Sequence, residues 1–379
     1  MRAVPRPSRR PWARLSSLAL PCVVLSCTVL PGIGLAAQST PRAATAAPSE
    51  AAAAAVPRSV RLQGTGVELE IAPRLGGRVL HLSLPGEPNL IKAGTAALAA
   101  QPEPKPSATG ENIPYLGHEV WVGPQGDWWR FQTVNAARRK AAAQWPPDPW
   151  LAHAPARVVE QDEARLVLEG AASPVSGVQL LQTFAISPQR PDTVELAAEM
   201  RNVRKEPVAR DIWFNTRVHP QTRIYVPVAP DGSGVRVRSD TGEGYDGLVS
   251  STAEGLFSLE PLPPAEGLHG RRGKVFIQPR AGWIAGFAAG QAFLIHFEHE
   301  PAERIHPDHG QVELYLDWKP GQDDPGLMEL EVHGPYATLA PGESTTAHEW
   351  WVVRRYEGPD RRDAQLAFLQ RMLDEAGVE

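Results

Sequence analysis

The sequence predicts an all-β protein, a large antiparallel sandwich closed by one C-terminal helix, and three features of its 379 residues predict it. From Ser59 onward, short runs alternate apolar and polar residues with a period of two, as half-buried strands do. Gly, Pro and Asp turns separate the runs. More than a dozen of them follow one another without a repeat of about 40 residues, which argues against a propeller and for packed sheets. The pattern alone leaves open whether they build one supersandwich or two smaller β domains.

Taken in order, the chain begins with what reads as an export signal over residues 1–37. Arg2, Arg6, Arg9, Arg10 and Arg14 precede an apolar stretch from Leu15 to Leu35, and Gly34, Ala36 and Ala37 supply the small residues of a cleavage site. "SRRPWAR", Ser8 to Arg14, resembles a twin-arginine pattern, with ordinary Sec export as the alternative. "VLSC", ending at Cys27, resembles a lipoprotein box, but the residues after it stay apolar, so a lipid anchor at Cys27 is the minority reading. Both cysteines, Cys22 and Cys27, lie in this segment. A chain cut near Ala37 therefore has none, which excludes disulfides, thiol catalysis and cysteine-ligated zinc. Removing its five arginines, with no acid among residues 1–37, takes the formal charge from −5 to −10. Nucleic acid and anionic membranes are poor partners for such a surface. Past the first forty residues no apolar run approaches the ~20 needed to span a bilayer. The expected mature chain is periplasmic or extracellular, without an integral membrane domain and with its oligomeric state open.

Residues 38–57, "QSTPRAATAAPSEAAAAAVP", have no periodic apolar face and read as a disordered linker. The β domain is expected over 58–379, through runs such as "VELEIA", "GRVLHLSL", "VQLLQTFAIS", "KVFIQP", "VELYLDW", "LMELEVHG" and "TTAHEWWVVRRY". The one helix runs from about Arg361 to Ala376, where Ala364, Leu366, Leu369, Met372 and Leu373 mark an apolar face suited to the outside of a sheet.

Three runs carry candidate chemistry. In "DIWFNTRVH", alternation places Asp211, Trp213, Asn215, Arg217 and His219 on one side of a strand, an acid, an indole, an amide and a base such as a sugar's hydroxyls require. A solvated sheet face with a stray Trp would look similar. "MELEVHG" puts Glu329, Glu331 and His333 on one face, the carboxylates roughly 6.6 Å apart at ~3.3 Å of rise per residue. Paired acids at that spacing perform acid–base work or clamp a cation, although an outward polar face gives the same pattern. "NIPYLGHEVWVGPQGDWW" supplies His118, Trp121, Trp128 and Trp129, of which one indole is expected to stack on a pyranose. "GGRVLHLSL" sets Val79 against Arg78, Leu80 and Leu82, with Asn89 in the turn that follows. His296, Glu298, His306, Asp308 and His309 lack a tight ligand spacing, so no metal site is assigned; a calcium ion beside the sugar site stays open, and no other cofactor is expected.

Four segments resemble an uncharacterised bacterial family, domain of unknown function 4380, itself similar to the galactose mutarotase-like proteins. They are "LGGRVLHLSLPGEPNLI" (Leu75 to Ile91), "GHEVWVGPQ" with "WPPDPW" (Gly117 to Trp150), "EMRNVRKEPVARDIWFN" (Glu199 to Asn215) and "MELEVHGPYATLAPGES" (Met328 to Ser344). The resemblance implies a galactose mutarotase-like β-supersandwich of antiparallel sheets with a carbohydrate on its concave face. It places Glu331 where mutarotases keep their catalytic base, ahead of the "LAPGE" turn, and His118 where they have a substrate-touching histidine. Their general acid is a histidine in a His-x-Tyr-Phe-Asn motif; here "DIWFN" has Asp211 in its place, and a carboxyl there can donate a proton only if burial raises its pKa. Glu331, His118 and Asp211 are thus the catalytic candidates, and Arg78, Trp121, Trp129, Trp213, Asn215, His219 and Glu329 the substrate-binding ones. An exported carbohydrate-binding protein, acting as an isomerase on a sugar's anomeric or epimerisable centre if it is an enzyme, is the leading expectation. A non-catalytic glycan-binding protein or a structural envelope protein is the alternative.

Overall fold

Two antiparallel sheets face each other across a common apolar core. The computed structural model describes residues 56, 58–263 and 269–378; the export segment and nearly all of the linker lie outside them. The first sheet runs in the spatial order Val60–Gln63, Glu68–Ala72, Arg78–Ser83, His118–Gly123, Val208–Val218, Gly326–His333, Val312–Trp318, Arg271–Ile277, Val235–Gly242 and Tyr245–Asp246, with Ala337–Leu339 pairing beside Val208–Val218. The second runs Ser250–Ala253, Leu256–Leu259, Arg223–Pro227, Trp283–Ala288, Gln291–Phe297, Ser344–Arg355, Arg190–Asn202, Val178–Ser187, Arg165–Glu169 and Arg157–Gln161.

The expected alternation builds this core directly. Ile212, Phe214, Val218, Leu330, Val332, Leu314 and Val275 point inward from the first sheet and meet Leu180, Phe184, Leu196, Met200, Ile295, Phe297 and Trp351 from the second. Each such side chain removed from water contributes roughly 1.5–3 kcal/mol. One apolar cluster thus spans both sheets, which answers the question the pattern left open.

The helix Arg362–Ala376 packs Leu369, Met372 and Leu373 on Tyr225, Phe287 and Leu294 of the second sheet's outer face, as expected, and stops at Gly377, whose φ of 67° lies in the left-handed region. Three short helices, Thr95–Ala100, Ala136–Lys140 and Pro149–His153, had no periodic signal to announce them. The strand Arg78–Ser83 departs from simple alternation. Leu80 is bulged out between Val79, which pairs with Ile71, and His81, which pairs with Glu70, so Val79 and Leu82 both enter the main core and Leu80 leaves it. Asn89 is the turn residue it was read as: its Oδ1 accepts from the Leu82 and Ile91 amides at 3.0 Å each.

The strand Val208–Val218 positions the site. It lies inside the first sheet, between His118–Gly123 and Gly326–His333, and is buried on both faces. One face is core. The other carries Asp211, Trp213, Asn215 and Arg217, and the ladder aligns Asn215 with Glu331 and Glu119, Trp213 with His333 and Trp121, and Arg217 with Glu329.

Candidate functional site

The outward face of the first sheet gathers charge in rows set by the ladder. Glu313 pairs in register with Glu331, and Lys274 with Tyr315 on the next strand. Lys274 places its Nζ 2.7 Å from Glu313 Oε2 and 2.8 Å from Glu331 Oε2, with both carboxylates 0% exposed. Asn215 Nδ2 lies 3.5 Å from Glu331 Oε1. His333 Nδ1 meets Asp211 Oδ2 at 2.9 Å, and its Nε2 faces Glu313 Oε1 at 3.6 Å. His309, carried in by the loop before Val312, bonds Glu313 Oε1 through Nδ1 at 2.7 Å and stacks on His333 with ring centres 4.2 Å apart. Trp213 closes the stack 4.6 Å from His333, and the Lys274 ammonium lies 4.8 Å from the indole centre.

At the edge of this cluster the backbone requires a glycine. A Cβ on Gly123 would fall 2.0 Å from Asp211 Oδ1, so only glycine lets this carboxylate approach the strand beside it. Asp211 then fixes the orientation of His333.

The electrostatics follow from burial set against these neighbours. Burial pushes Glu331 up, and the negative charges of Glu329 and Glu313 add to it; Lys274 opposes them but does not win, leaving the carboxyl at about 8. Burial would raise Glu313 too, but the cations Lys274 and His333 hold it well below the usual carboxylate range. Burial would lower His333; Glu313 and the hydrogen bond to Asp211 outweigh it and raise the imidazole to about 9, protonated at neutral pH. His309 is lowered by burial and by the charge on His333. Two carboxyls driven apart beside a protonated imidazole form an acid–base set. Around them Trp121 Nε1, Trp213 Nε1, Asn215 Oδ1, Asp211 Oδ1 and His309 Nε2 are buried without a hydrogen bond among the described residues. Buried polar groups are normally paired, so these atoms are suited to a polar ligand.

A second set of charges braces this one. Arg78 holds Glu119 at 2.5 Å, Glu119 holds Arg217 at 2.6 Å, and Arg217 Nε holds Glu329 Oε1 at 2.8 Å. Burial acts against Glu119, but the two guanidiniums keep it down at about 2. Arg217 also lies 4.7 Å over Trp121.

Asp211, Trp213, Asn215, Glu329 and Glu331 therefore share one face, as the alternation indicated, and the strand ladder sets Trp121 beside them. Four other candidates lie elsewhere. His118 is on the opposite face of the same sheet, in the core, 4.8 Å from the Trp351 ring and bonded to Thr216 Oγ1 at 2.9 Å; burial drives its imidazole to about 3. It follows Val120 and Val122 in phase, whereas Glu119 and Trp121 take the other side. Arg78 is buried behind Glu119. Trp129 is fully buried, with its Nε1 donating to the Pro146 carbonyl at 2.7 Å and Arg138 lying 4.5 Å over its ring. His219 is exposed past the strand's end, in a cleft with Tyr356 and Gln365. Of the aromatics, the exposed one beside this face is Trp145, 49% exposed and 6.4 Å edge-on to Trp121.

Lys274, Glu313 and Trp145 were not singled out by the sequence. In the sequence His309 stands with His296, Glu298, His306 and Asp308, of which His296 belongs to the second sheet. Asp211, His309 and His333, and separately Glu313, Glu331 and His333, each bring three ligand-type atoms within 4.8 Å. The donors of the first set suit a zinc-like ion better than calcium, which prefers oxygen. In the second, Lys274 already sits between the carboxylates.

The model of a family described as a domain of unknown function, DUF4380, matches residues 58–354. Sequence comparison with curated proteins finds no match. Among solved structures, the galactose mutarotase related enzyme from Lactobacillus acidophilus superposes with a TM-score of 0.50 at 8% identity, over 80% of this chain and 100% of that one. Galactose mutarotase-like proteins from Clostridium acetobutylicum (TM-score 0.45, 12% identity, 78% and 95% covered) and Lactobacillus casei (0.45, 10%, 78% and 100%) are also similar. At these identities the likeness is one of fold: the chain has a galactose mutarotase-like arrangement of two antiparallel sheets and a short C-terminal helix.

Proposed function

The chain belongs to the DUF4380 family, and on that footing we propose that it is an exported carbohydrate-binding protein acting by acid–base chemistry on the anomeric centre of a sugar. The observation that carries the reading is the placing of Glu331 and His333 two residues apart on one strand, one carboxyl poised near neutrality and one imidazole protonated, among buried polar atoms without partners among the described residues. Export rests on the arginines and apolar run of residues 1–37.

In this mechanism the ionised Glu331 takes the proton of the anomeric hydroxyl. The C1–O bond to the ring oxygen breaks as the C1 carbonyl forms, and the ring oxygen takes a proton from His333 Nε2. Nδ1–H of His333 stays on Asp211 throughout, so Asp211 positions the acid. The imidazole absent from "DIWFN" is thereby restored from the neighbouring strand. Rotation about C1–C2 and reversal of both transfers closes the other anomer and returns each proton. Glu313 keeps His333 charged, and Trp145 offers a face for the ring to stack on. Glu331 is covered by Lys274, the more exposed of the two, so a sugar enters as the Lys274 ammonium swings aside.

That cover also favours a second reading, a glycan-binding protein without turnover. Exchange between anomer signals of free aldoses, measured by magnetisation-transfer NMR, separates the two. Wild type should accelerate exchange for at least one sugar, and Glu331→Gln and His333→Gln should each lose about 10²–10⁴-fold while the ligand still binds. Wild-type exchange no faster than buffer across the panel sinks the enzymatic reading, and loss of binding as well sinks both.

A further inference from the structure

Beside the acid–base cluster lies an open cleft of about 440 Å³, walled on the sheet side by Arg236 and Phe276 and on the loop side by His306 and His309. His309 is common to cleft and cluster, since it also bonds Glu313 and stacks on His333. Among the described residues, no carboxylate lines the cleft. Arg236 lies 4.4 Å over the Phe276 ring and Arg238 5.5 Å from it, and neither makes an ion pair among the described residues. The ladder carries them toward the chemistry: Arg236 pairs with Phe276, Phe276 with Glu313, and Glu313 with Glu331. At about 4.8 Å between strands, Phe276 and Glu331 are roughly 10 Å apart along that row, a span that one or two sugar rings fill.

We propose that this site takes an acidic sugar, whose anionic group is held by Arg236 and Arg238 over Phe276 while its anomeric carbon faces Glu331. The proposal rests on the reading of the cluster as a sugar site and specifies the substrate class. A guanidinium is matched to a carboxylate or a phosphate by its fork of N–H donors, and its stacking on Phe276 holds that fork in place before the ligand arrives. Carboxylate and phosphate sugars share this chemistry, and the experiment tells them apart.

Anomeric exchange and binding by calorimetry would be measured for D-galacturonate, D-galactose 6-phosphate and D-galactose. Wild type should prefer at least one of the acidic sugars to galactose by about tenfold or more in KM or Kd, the equivalent of one charge-assisted contact. Arg236→Gln and the double variant with Arg238→Gln should raise KM for that sugar at least about tenfold more than for galactose, with kcat little changed, because the arginines bind remote from the reacting atoms. Both positions are exposed, and thermal unfolding checks that the variants fold. Preference for galacturonate assigns the carboxylate, and preference for the phosphate assigns the phosphate. Equal handling of galactose and both acids, with E331Q-sensitive exchange intact, overturns the acidic-sugar inference and leaves the sugar site standing. Absence of both exchange and binding for all three overturns both.

Discussion

Lys274 is the residue whose removal should report most clearly on the site's electrostatics. Its ammonium lies within 2.8 Å of two carboxylates that are 0% exposed, and its own side chain is only 20% exposed. Lys274→Met keeps most of the volume and deletes the charge. Removing one partner of a buried ion pair leaves an uncompensated charge and costs about 3–5 kcal/mol. The loss should depend on pH. Glu331 already holds its proton up to about 8 even with Lys274 present, so at pH 5 in the variant it is neutral and only Glu313, beside His333, still needs a cation. At pH 8 to 9 two buried carboxylates compete to ionise with one imidazolium between them. Urea denaturation followed by tryptophan fluorescence should therefore show the variant destabilised by about 3–5 kcal/mol at pH 8.5 and by less than half of that at pH 5. Adding Glu331→Gln should recover part of the alkaline loss. Equal destabilisation at both pH values, or none, would refute the argument that Lys274 compensates this pair.

Other consequences are separable from that one. Gly123→Ala should push Asp211 off His333, lower the imidazole's pKa and cut turnover while leaving the core intact, which NMR titration of the His333 ring reads directly. His333, at about 9 folded against 6.5 unfolded, contributes about 3 kcal/mol that is fully present below pH 6.5 and lost as pH rises through 9; His333→Gln should flatten that part of the stability–pH curve. Turnover should rise as Glu331 ionises and fall as His333 deprotonates near 9, giving an alkaline optimum whose acid limb Glu331→Gln removes. In the core, burial raises Glu349 to about 8 against the hydrogen bond from Trp351 Nε1, so the stability tied to its proton is lost as pH climbs from about 4.5 through 8. Glu349→Gln should gain a few kcal/mol on wild type at pH 9 and little at pH 5, by chemical denaturation.

The alternation in "DIWFNTRVH" and "MELEVHG" was sufficient to put five candidate side chains, Asp211, Trp213, Asn215, Glu329 and Glu331, on one face, because the two strands pair without a register shift and a period of two has no other way to fall. It was sufficient also for the sandwich and its helix. It could not place His118, whose side follows from its phase relative to Val120 and Val122, a phase that "HEVWV", buried throughout, does not reveal. Lys274 and Glu313 were hidden for a related reason. Each is a charge inside an otherwise ordinary amphipathic strand, and its significance appears only when the ladder sets "KVFIQP" beside "VELYLDW" and that beside "MELEVHG". The strand pairing is long-range information, and so is the loop that brings His309 onto His333. The bulge at Leu80, which turns Leu82 inward with Val79, has no composition signal at all.

The central claim is that a sugar binds on this face, at Glu331 and His333. Titrating D-galacturonate into the protein while recording the histidine imidazole resonances tests it most directly, since three rings report from known places. The account predicts that His333 and His309 shift with saturation and that His118, buried on the other side of the same sheet, does not. Saturable shifts at His219 or His296 with His333 and His309 unmoved would place the ligand elsewhere and contradict the account.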